Sequence, residues 1–372
     1  MDQSPVAVYV HTPFCPSKCG YCDFNSYAMT GEIIDRTVAA IETEIRRSPW
    51  AGRPAKTIFF GGGTPTFLTA PQLCGLLRAV LETHPPIENC EITSEANPGV
   101  VDWPKFAAMR EAGFNRVSLG AQSFVKEDLI RLGRVHAADE VGKAVLSARQ
   151  AGFDNLNLDL MFALPGQSMA AWQRNLEAAL SLKPEHLSLY CLTIEPNTRY
   201  YRLHLKGMLD LPNDEAQVRM YDLALQMAGD HGYEQYEISN FAKPGRQCEH
   251  NRCYWLGEEY LAYGPGAVGA IGPVESRRRY TNTKHPQLYC ERVEAGSELA
   301  CDEETLGLGE HRTERIMLGL RLNEGIELAP YAPDPQGLQT VESRGWLEWA
   351  GNNARLTPTG RHFCSEVVAE LI

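Results

Sequence analysis

A short run rich in Val, Ile, Leu, Phe and Tyr, followed by an amphipathic stretch, recurs six times in the N-terminal part of this 372-residue chain. The strand-like runs cover residues 6–11, 57–60, 90–96, 116–122, 155–162 and 186–193, and Gly, Pro and Asn bound them. Helical stretches cover 34–47, 70–83, 103–112, 138–151 and 168–182. Leu73, Leu76, Leu77 and Val80 carry the i, i+3, i+4, i+7 spacing of one buried helix face. This alternation predicts right-handed βαβ crossovers and a parallel sheet. Six units make an α/β fold with a partial (β/α)6 barrel, short of the eight units of a full barrel. In such sheets ligands gather beyond the carboxyl ends of the strands.

After about residue 205 the pattern breaks. Residues 214–229 read as a helix and 233–240 as a polar strand or loop, and a Gly-rich stretch, Gly264-Pro265-Gly266-Ala267-Val268-Gly269, follows. From about Asp302 a compact tail reads helix (309–321), helix (335–344), strand, Asn352-Asn353 turn, strand (355–357) and terminal helix (359–371). The order resembles a winged helix. The expected division is a core over 1–235, a connecting region over 236–300 and a winged-helix-like α+β extension over 301–372.

The formal net charge of -12 repels phosphate backbones and argues against nucleic acid as a partner. Acidic residues also outnumber basic ones in the tail, so it is expected to contact protein or to serve structure. Eleven cysteines without regular spacing point to free thiols in a reducing, cytoplasmic setting. The start of the chain has no basic region leading into an apolar run, and no stretch of about 18 apolar residues exists to span a membrane. Peripheral membrane contact stays open.

Directly after the first strand-like run lies Cys15-Pro16-Ser17-Lys18-Cys19-Gly20-Tyr21-Cys22, a C-x3-C-x2-C spacing with no fourth cysteine nearby. Three thiolates on one loop can hold three irons of a 4Fe-4S cluster and leave the fourth open, whereas clusters used only for electron transfer take four cysteines. A structural zinc site wants four ligands. His11 and Asp23 are the candidates for a fourth, and neither has the usual spacing.

Further motifs sit at the ends of later runs. Gly61-Gly62-Gly63-Thr64-Pro65-Thr66 lets backbone groups approach a ligand, and it lacks the lysine of a phosphate-binding P-loop. Glu95 ends the third run, Gln122 the fourth, and Arg134 follows in Leu132-Gly133-Arg134-Val135-His136. Asp159 lies in the fifth run, where an unpartnered buried carboxylate would be costly. Cys248-Glu249-His250-Asn251-Arg252-Cys253-Tyr254-Trp255 combines an imidazole with two flat aromatic rings.

The cysteine spacing resembles the radical S-adenosylmethionine (SAM) superfamily. The combination of Tyr-x-His-x-Pro-Phe-Cys, the GGGTPT run, Gly-x-Gln-Ser-Phe, Leu-Gly-Arg-x-His and the tail is similar, nearly end to end, to its oxygen-independent coproporphyrinogen III oxidase group. The resemblance implies that Cys15, Cys19 and Cys22 ligate a 4Fe-4S cluster whose open iron chelates SAM, and that an electron releases a 5′-deoxyadenosyl radical. It implies SAM contacts from Tyr9, Tyr21, Gly62, Gly63, Thr64, Glu95, Gln122, Arg134 and Asp159. The oxidase branch carries a further cysteine where this chain has Phe24, and a longer segment before the cysteines. His-Asn-x-x-Tyr-Trp resembles the haem-chaperone branch. That likeness implies haem as cargo, with His250, Tyr254 and Trp255 taking part in its binding and Arg252 placed to pair with a propionate. Acceptor haemoproteins and a flavodoxin-like electron donor are the implied partners. Radical decarboxylation of coproporphyrinogen III is the alternative activity. Cys248 and Cys253 read as buried thiols.

Overall fold

In a computed structural model that describes residues 4–134 and 137–372, one large sheet carries the repeated units. Val135 and His136 of the Leu-Gly-Arg-Val-His run lie outside the described residues. Strands β1 (Val6–Thr12), β2 (Ala55–Gly62), β3 (Pro86–Ala96), β4 (Arg116–Gln122), β5 (Leu156–Phe162) and β6 (His186–Cys191) pair in parallel in that order. Helices α1 (Glu32–Arg46), α2 (Ala70–Thr83), α3 (Trp103–Ala112), α4 (Lys126–Leu132), α5 (Ala138–Gln150) and α6 (Met169–Ser181) lie between them. Thr69 and Gln72 close a reciprocal capping box at the start of α2, and Leu73, Leu76, Leu77 and Val80 are all buried, as their spacing predicts.

Beyond β6 come α7 (Arg199–Leu205), α8 (Asp214–Asp230), β7 (Glu234–Glu237), β8 (Asn240–Ala242), α9 (Glu249–Trp255) and β9 (Tyr260–Tyr263). Strand β9 pairs in parallel with β1, Ala7 opposite Tyr260, and becomes a seventh parallel strand. Then follow β10 (Val268–Ile271), β11 (Arg277–Asn282), α10 (Pro286–Ala295) and β12 (Ala300–Leu306). The twelve strands run β12-β11-β10-β9-β1-β2-β3-β4-β5-β6-β8-β7. The α/β partial barrel is therefore open, and antiparallel strands flank both sides.

The extension has its own core, built on Ile316, Leu320, Val341, Leu356, Val367 and Leu371. Its elements are α11 (Leu308–Gly319), β13 (Ile326–Glu327), α12 (Pro335–Ser343), β14 (Leu347–Ala350), β15 (Asn353–Leu356) and α13 (Cys364–Leu371). A small β13-β15-β14 sheet completes it. Strand β12 falls in the tail of the expected division, yet it pairs with β11 in the large sheet.

Parallel strands covered on both faces usually read as continuous apolar runs. Here one face is polar. Ile58, Phe60, Ile92, Val117, Leu119, Leu158, Leu160, Leu187 and Leu189 belong to the main apolar core. The alternate positions bring Thr57, Glu91, Thr93, Glu95, Arg116, Ser118, Asn157, Asp159, His186 and Ser188 to the other face. The register sets Thr57 against Glu91, Thr93 against Arg116, Ser118 against Asn157 and Asn157 against His186. The interior thus contains a lower layer of buried polar groups and an upper layer at the strand ends.

Candidate functional site

The upper layer opens into a cavity of about 370 Å³. Its lining includes Cys15, Cys19, Tyr21 and Cys22 from the loop after β1, Gly62, Gly63 and Thr64 after β2, Glu95, Gln122, Arg134 and Asp159. The glycine run and the cysteine loop are zipped together: Gly63 N–H donates to Thr12 O at 2.8 Å, and Thr64 N–H donates to Phe14 O at 2.8 Å. A Cβ on Gly63 would come within 2.6 Å of Phe14 O, so the close approach requires glycine there. The thiols are tied in as well. The Thr64 hydroxyl donates to Cys15 Sγ at 3.5 Å, and Arg134 Nη1 lies 3.8 Å from Cys19 Sγ.

Arg134 reaches this position because α4 ends at Gly133 in a left-handed turn (φ 73°). Its Nη2 donates to Gly120 O at 2.7 Å, while the buried Nε has no partner among the described residues. Gln122 ends β4 with φ 61°, a conformation that costs a non-glycine residue about 1–3 kcal/mol. Asp159 accepts from Ser118 Oγ at 3.1 Å and from Asn157 Nδ2 at 2.7 Å, so its partners are supplied by the lower layer.

Among the described residues, no three His, Cys, Asp or Glu side chains converge on a single-ion site. Three thiols that each take a different iron of a cubane have no need to converge. Burial raises the thiol pKa of Cys15 and of Cys22. A ligated metal would displace those protons. Three thiols on one short loop, backed by glycine backbone and a guanidinium with an unused N–H, suit a cluster with an anionic ligand beside it.

Burial first, and the charge of Asp159 second, push the Glu95 carboxyl up to about 8, against the pull of the Gly62 N–H. The folded state therefore holds this proton more tightly than the unfolded chain. Glu95 then makes stability fall as pH climbs from 4.5 towards about 8, by about 1.4 kcal/mol per unit. Glu95→Gln is expected to remove that part of the slope in unliganded protein. Denaturation midpoints at pH 5.5 and pH 7.5 (~2 units apart) read it, and equal slopes in the two proteins would contradict the assignment.

The remaining expected residues lie elsewhere. Tyr9 does not line the cavity, because it sits three residues before the end of β1. Its ring lies a layer below, stacked near Phe59 and His250, and its hydroxyl bonds His11 Nδ1 at 3.0 Å. His250, Tyr254 and Trp255 belong to α9, against the lower layer. His250 is 1% exposed. Its Nδ1 meets the Thr57 hydroxyl at 2.8 Å, and its Nε2 meets the Tyr254 hydroxyl at 2.9 Å. Burial lowers the imidazole pKa to about 3, so the ring is neutral at physiological pH. Trp255 lies under the Arg321 guanidinium at 4.5 Å. Arg252 pairs with Glu324 at 3.1 Å.

Sequence reasoning passed over Thr57, Glu91, Arg116, Asn157 and His186. Their signal was the alternation of polar with apolar residues along β2 to β6. It also passed over the reason for the Gly-rich stretch. Gly264 has φ 104°, and a Cβ there would come within 2.3 Å of His11 O. Asn25 Nδ2 donates to Pro265 O at 2.9 Å and to Lys284 O at 3.0 Å, which seats the cysteine loop on the later part of the chain.

A partial parallel barrel with three thiols on the first βα loop defines the class of radical SAM proteins, and the model of the Radical SAM superfamily matches residues 9–179. The chain is 36% identical over 373 residues to the haem chaperone HemW of Bacillus subtilis (97% of each chain). It is 35% identical to HemW of Mycobacterium tuberculosis (100% of this chain, 96% of that one). Over 289 residues it is 42% identical to HemW of Escherichia coli (76% and 75%). The coproporphyrinogen III oxidase HemN of Escherichia coli, a radical SAM enzyme, shares the fold: TM-score 0.85, 23% identity, 99% of this chain and 90% of that one. The chain belongs to the HemW family. Membership of the radical SAM superfamily implies a 4Fe-4S cluster and SAM. No described helix is long and apolar enough to cross a membrane.

Proposed function

We propose that this protein is a haem chaperone: it binds haem and delivers it to acceptor haemoproteins, with a 4Fe-4S cluster and SAM bound at the strand ends. Its likeness along 97% of its length to a protein named haem chaperone carries the reading. The shared fold with HemN supports the architecture alone. Phe24, 62% exposed at the cavity rim, stands where the oxidase resemblance calls for a further cysteine.

Cys15, Cys19 and Cys22 are assigned to the cluster. A bound cluster, once reduced by a low-potential donor, would supply the electron for cleavage of a SAM sulfonium. The chain's own groups would orient SAM. Glu95 takes the amino group, Arg134 the carboxylate, the Gly62–Thr64 backbone the methionine part, and Gln122 and Asp159 the ribose. Tyr21 contributes apolar wall. A cytoplasmic site of action, a flavodoxin-like electron donor and peripheral contact with membranes complete the proposal.

Haemin titration of the anaerobically reconstituted protein tests it. A Soret shift is expected, and His250→Ala should weaken binding by at least about tenfold. Incubation with reductant, SAM and coproporphyrinogen III should give no protoporphyrinogen. Accumulation of that product would restore the oxidase reading.

A further inference from the structure

The proposed haem segment is held in place by residues outside it. The Glu91 carboxylate accepts from the backbone N–H of Glu249 at 3.1 Å, the backbone N–H of His250 at 3.2 Å and the Cys248 thiol at 3.4 Å. It therefore caps the first turn of α9 from the floor of the barrel. Thr57, opposite Glu91 in the β2–β3 register, bonds His250 Nδ1. The Tyr236 hydroxyl accepts from the Cys248 N–H at 3.4 Å and bonds His186 Nε2 at 2.9 Å. His186 Nδ1 in turn donates to Asn157 Oδ1 at 2.7 Å, and Asn157 bonds Asp159 in the cavity wall. From the other side, Arg315 of α11 donates to Trp255 O at 2.9 Å, and Arg321 covers the Trp255 ring.

An axial iron ligand must present a free imidazole nitrogen. In the arrangement above neither nitrogen is free. Resting on the haem-chaperone reading, we infer that Thr57 and Glu91 are positioning residues that keep His250 masked, so that haem iron takes Nδ1 only after that nitrogen leaves the Thr57 hydroxyl, while the Nε2 bond to Tyr254, internal to α9, persists. Iron and the Thr57 hydroxyl compete for the same nitrogen, whereas the Tyr254 hydroxyl bonds the other one and supports ligation. A substitution that removes a masking bond without touching the ring therefore strengthens haem binding, although it deletes a native interaction. Thr57→Val is the cleanest such change, because it is nearly isosteric, buried, and lies on β2 outside the haem segment.

The experiment is haemin titration of the cluster-reconstituted full chain, followed by the Soret band and by low-spin EPR of the ferric haem. Wild type, Thr57→Val, Tyr254→Phe, Glu91→Gln, His250→Ala and the Thr57→Val/His250→Ala double variant are compared. Thr57→Val is expected to tighten binding about fivefold, the equilibrium weight of one net hydrogen bond, and to raise the histidine-ligated EPR fraction. Tyr254→Phe removes the bond at the nitrogen that iron leaves alone and should not tighten binding. Glu91→Gln keeps one acceptor oxygen but sets an NH2 group against the second α9 N–H, so it should loosen the first turn of α9 and shift the readouts part of the way. The gain must vanish in the double variant, since a generally loosened fold would bind haemin with or without the imidazole. If Thr57→Val binds equally or more weakly while His250→Ala still loses affinity, the mask is refuted and the haem reading stands. If His250→Ala binds as wild type does, the ligand assignment fails, and the mask with it.

Discussion

Cys19→Ala is expected to yield a folded protein that cannot retain a 4Fe-4S cluster. The three thiols are the only protein ligands the proposal allows, so losing one leaves two irons without a protein donor. Structural cost should be small. Cys19 is only partly buried, and its side chain meets Arg134 Nη1 at 3.8 Å and the Tyr21 hydroxyl. Anaerobic reconstitution followed by iron and sulfide analysis and by EPR of the reduced protein measures the outcome. Cys15→Ala and Cys22→Ala should behave alike. Cys74→Ala, on α2 with its thiol towards Ala108 O at 3.6 Å, should keep a full cluster. A Cys19→Ala protein that still binds four irons and shows an unchanged reduced-state signal would remove the basis for the cluster assignment.

A second large effect is expected in the barrel floor. Arg116 is 2% exposed, and its Nε lies 4.0 Å from the Glu91 carboxylate, itself 8% exposed. Burial disfavours the guanidinium, while nearby Cys248, Glu91 and Tyr236 hold it charged and raise its pKa overall. Arg116→Met leaves Glu91 as a buried carboxylate without its cation, a loss of about 3–5 kcal/mol. The double change Glu91→Gln/Arg116→Met removes both charges and should recover a good part of it, because an amide oxygen can still cap α9. Chemical denaturation of the two variants decides the matter. If Arg116→Met cost less than ~1 kcal/mol, the pair would have no structural weight.

The parallel core was legible because each unit announces itself locally. Leu73, Leu76, Leu77 and Val80 fix the buried face of α2, and the glycine run marks the end of β2. The cavity was legible for the same reason: its residues sit at strand ends, where topology gathers them. The motif does not say how far a side chain lies from its strand's end, so the place of the Tyr9 ring one layer below the cavity was not legible. The pairing of β9 with β1 was not legible, since Ala7 and Tyr260 leave no mark on each other in the sequence. Strand β12 was read as the start of the tail because it has almost no buried residue. Cross-strand pairs, Arg278 with Glu303 and Arg279 with Glu304, hold it at the sheet edge. The composition of His-Asn-x-x-Tyr-Trp shows which groups are present. Whether its imidazole is free depends on Thr57, on a distant strand.

The seat of the cysteine loop has a consequence for biosynthesis. Asn25 is anchored to Pro265 and Lys284, and the free edge of β1 is covered only by Tyr260–Tyr263. A nascent chain emerging from the ribosome therefore exposes its thiols early but cannot build their final frame until most of the polypeptide has been translated. Such long-range closure is slow, and it leaves a strand edge open meanwhile. A stalled or truncated chain lacking β9 would be a substrate for proteolysis before it could become a metalloprotein.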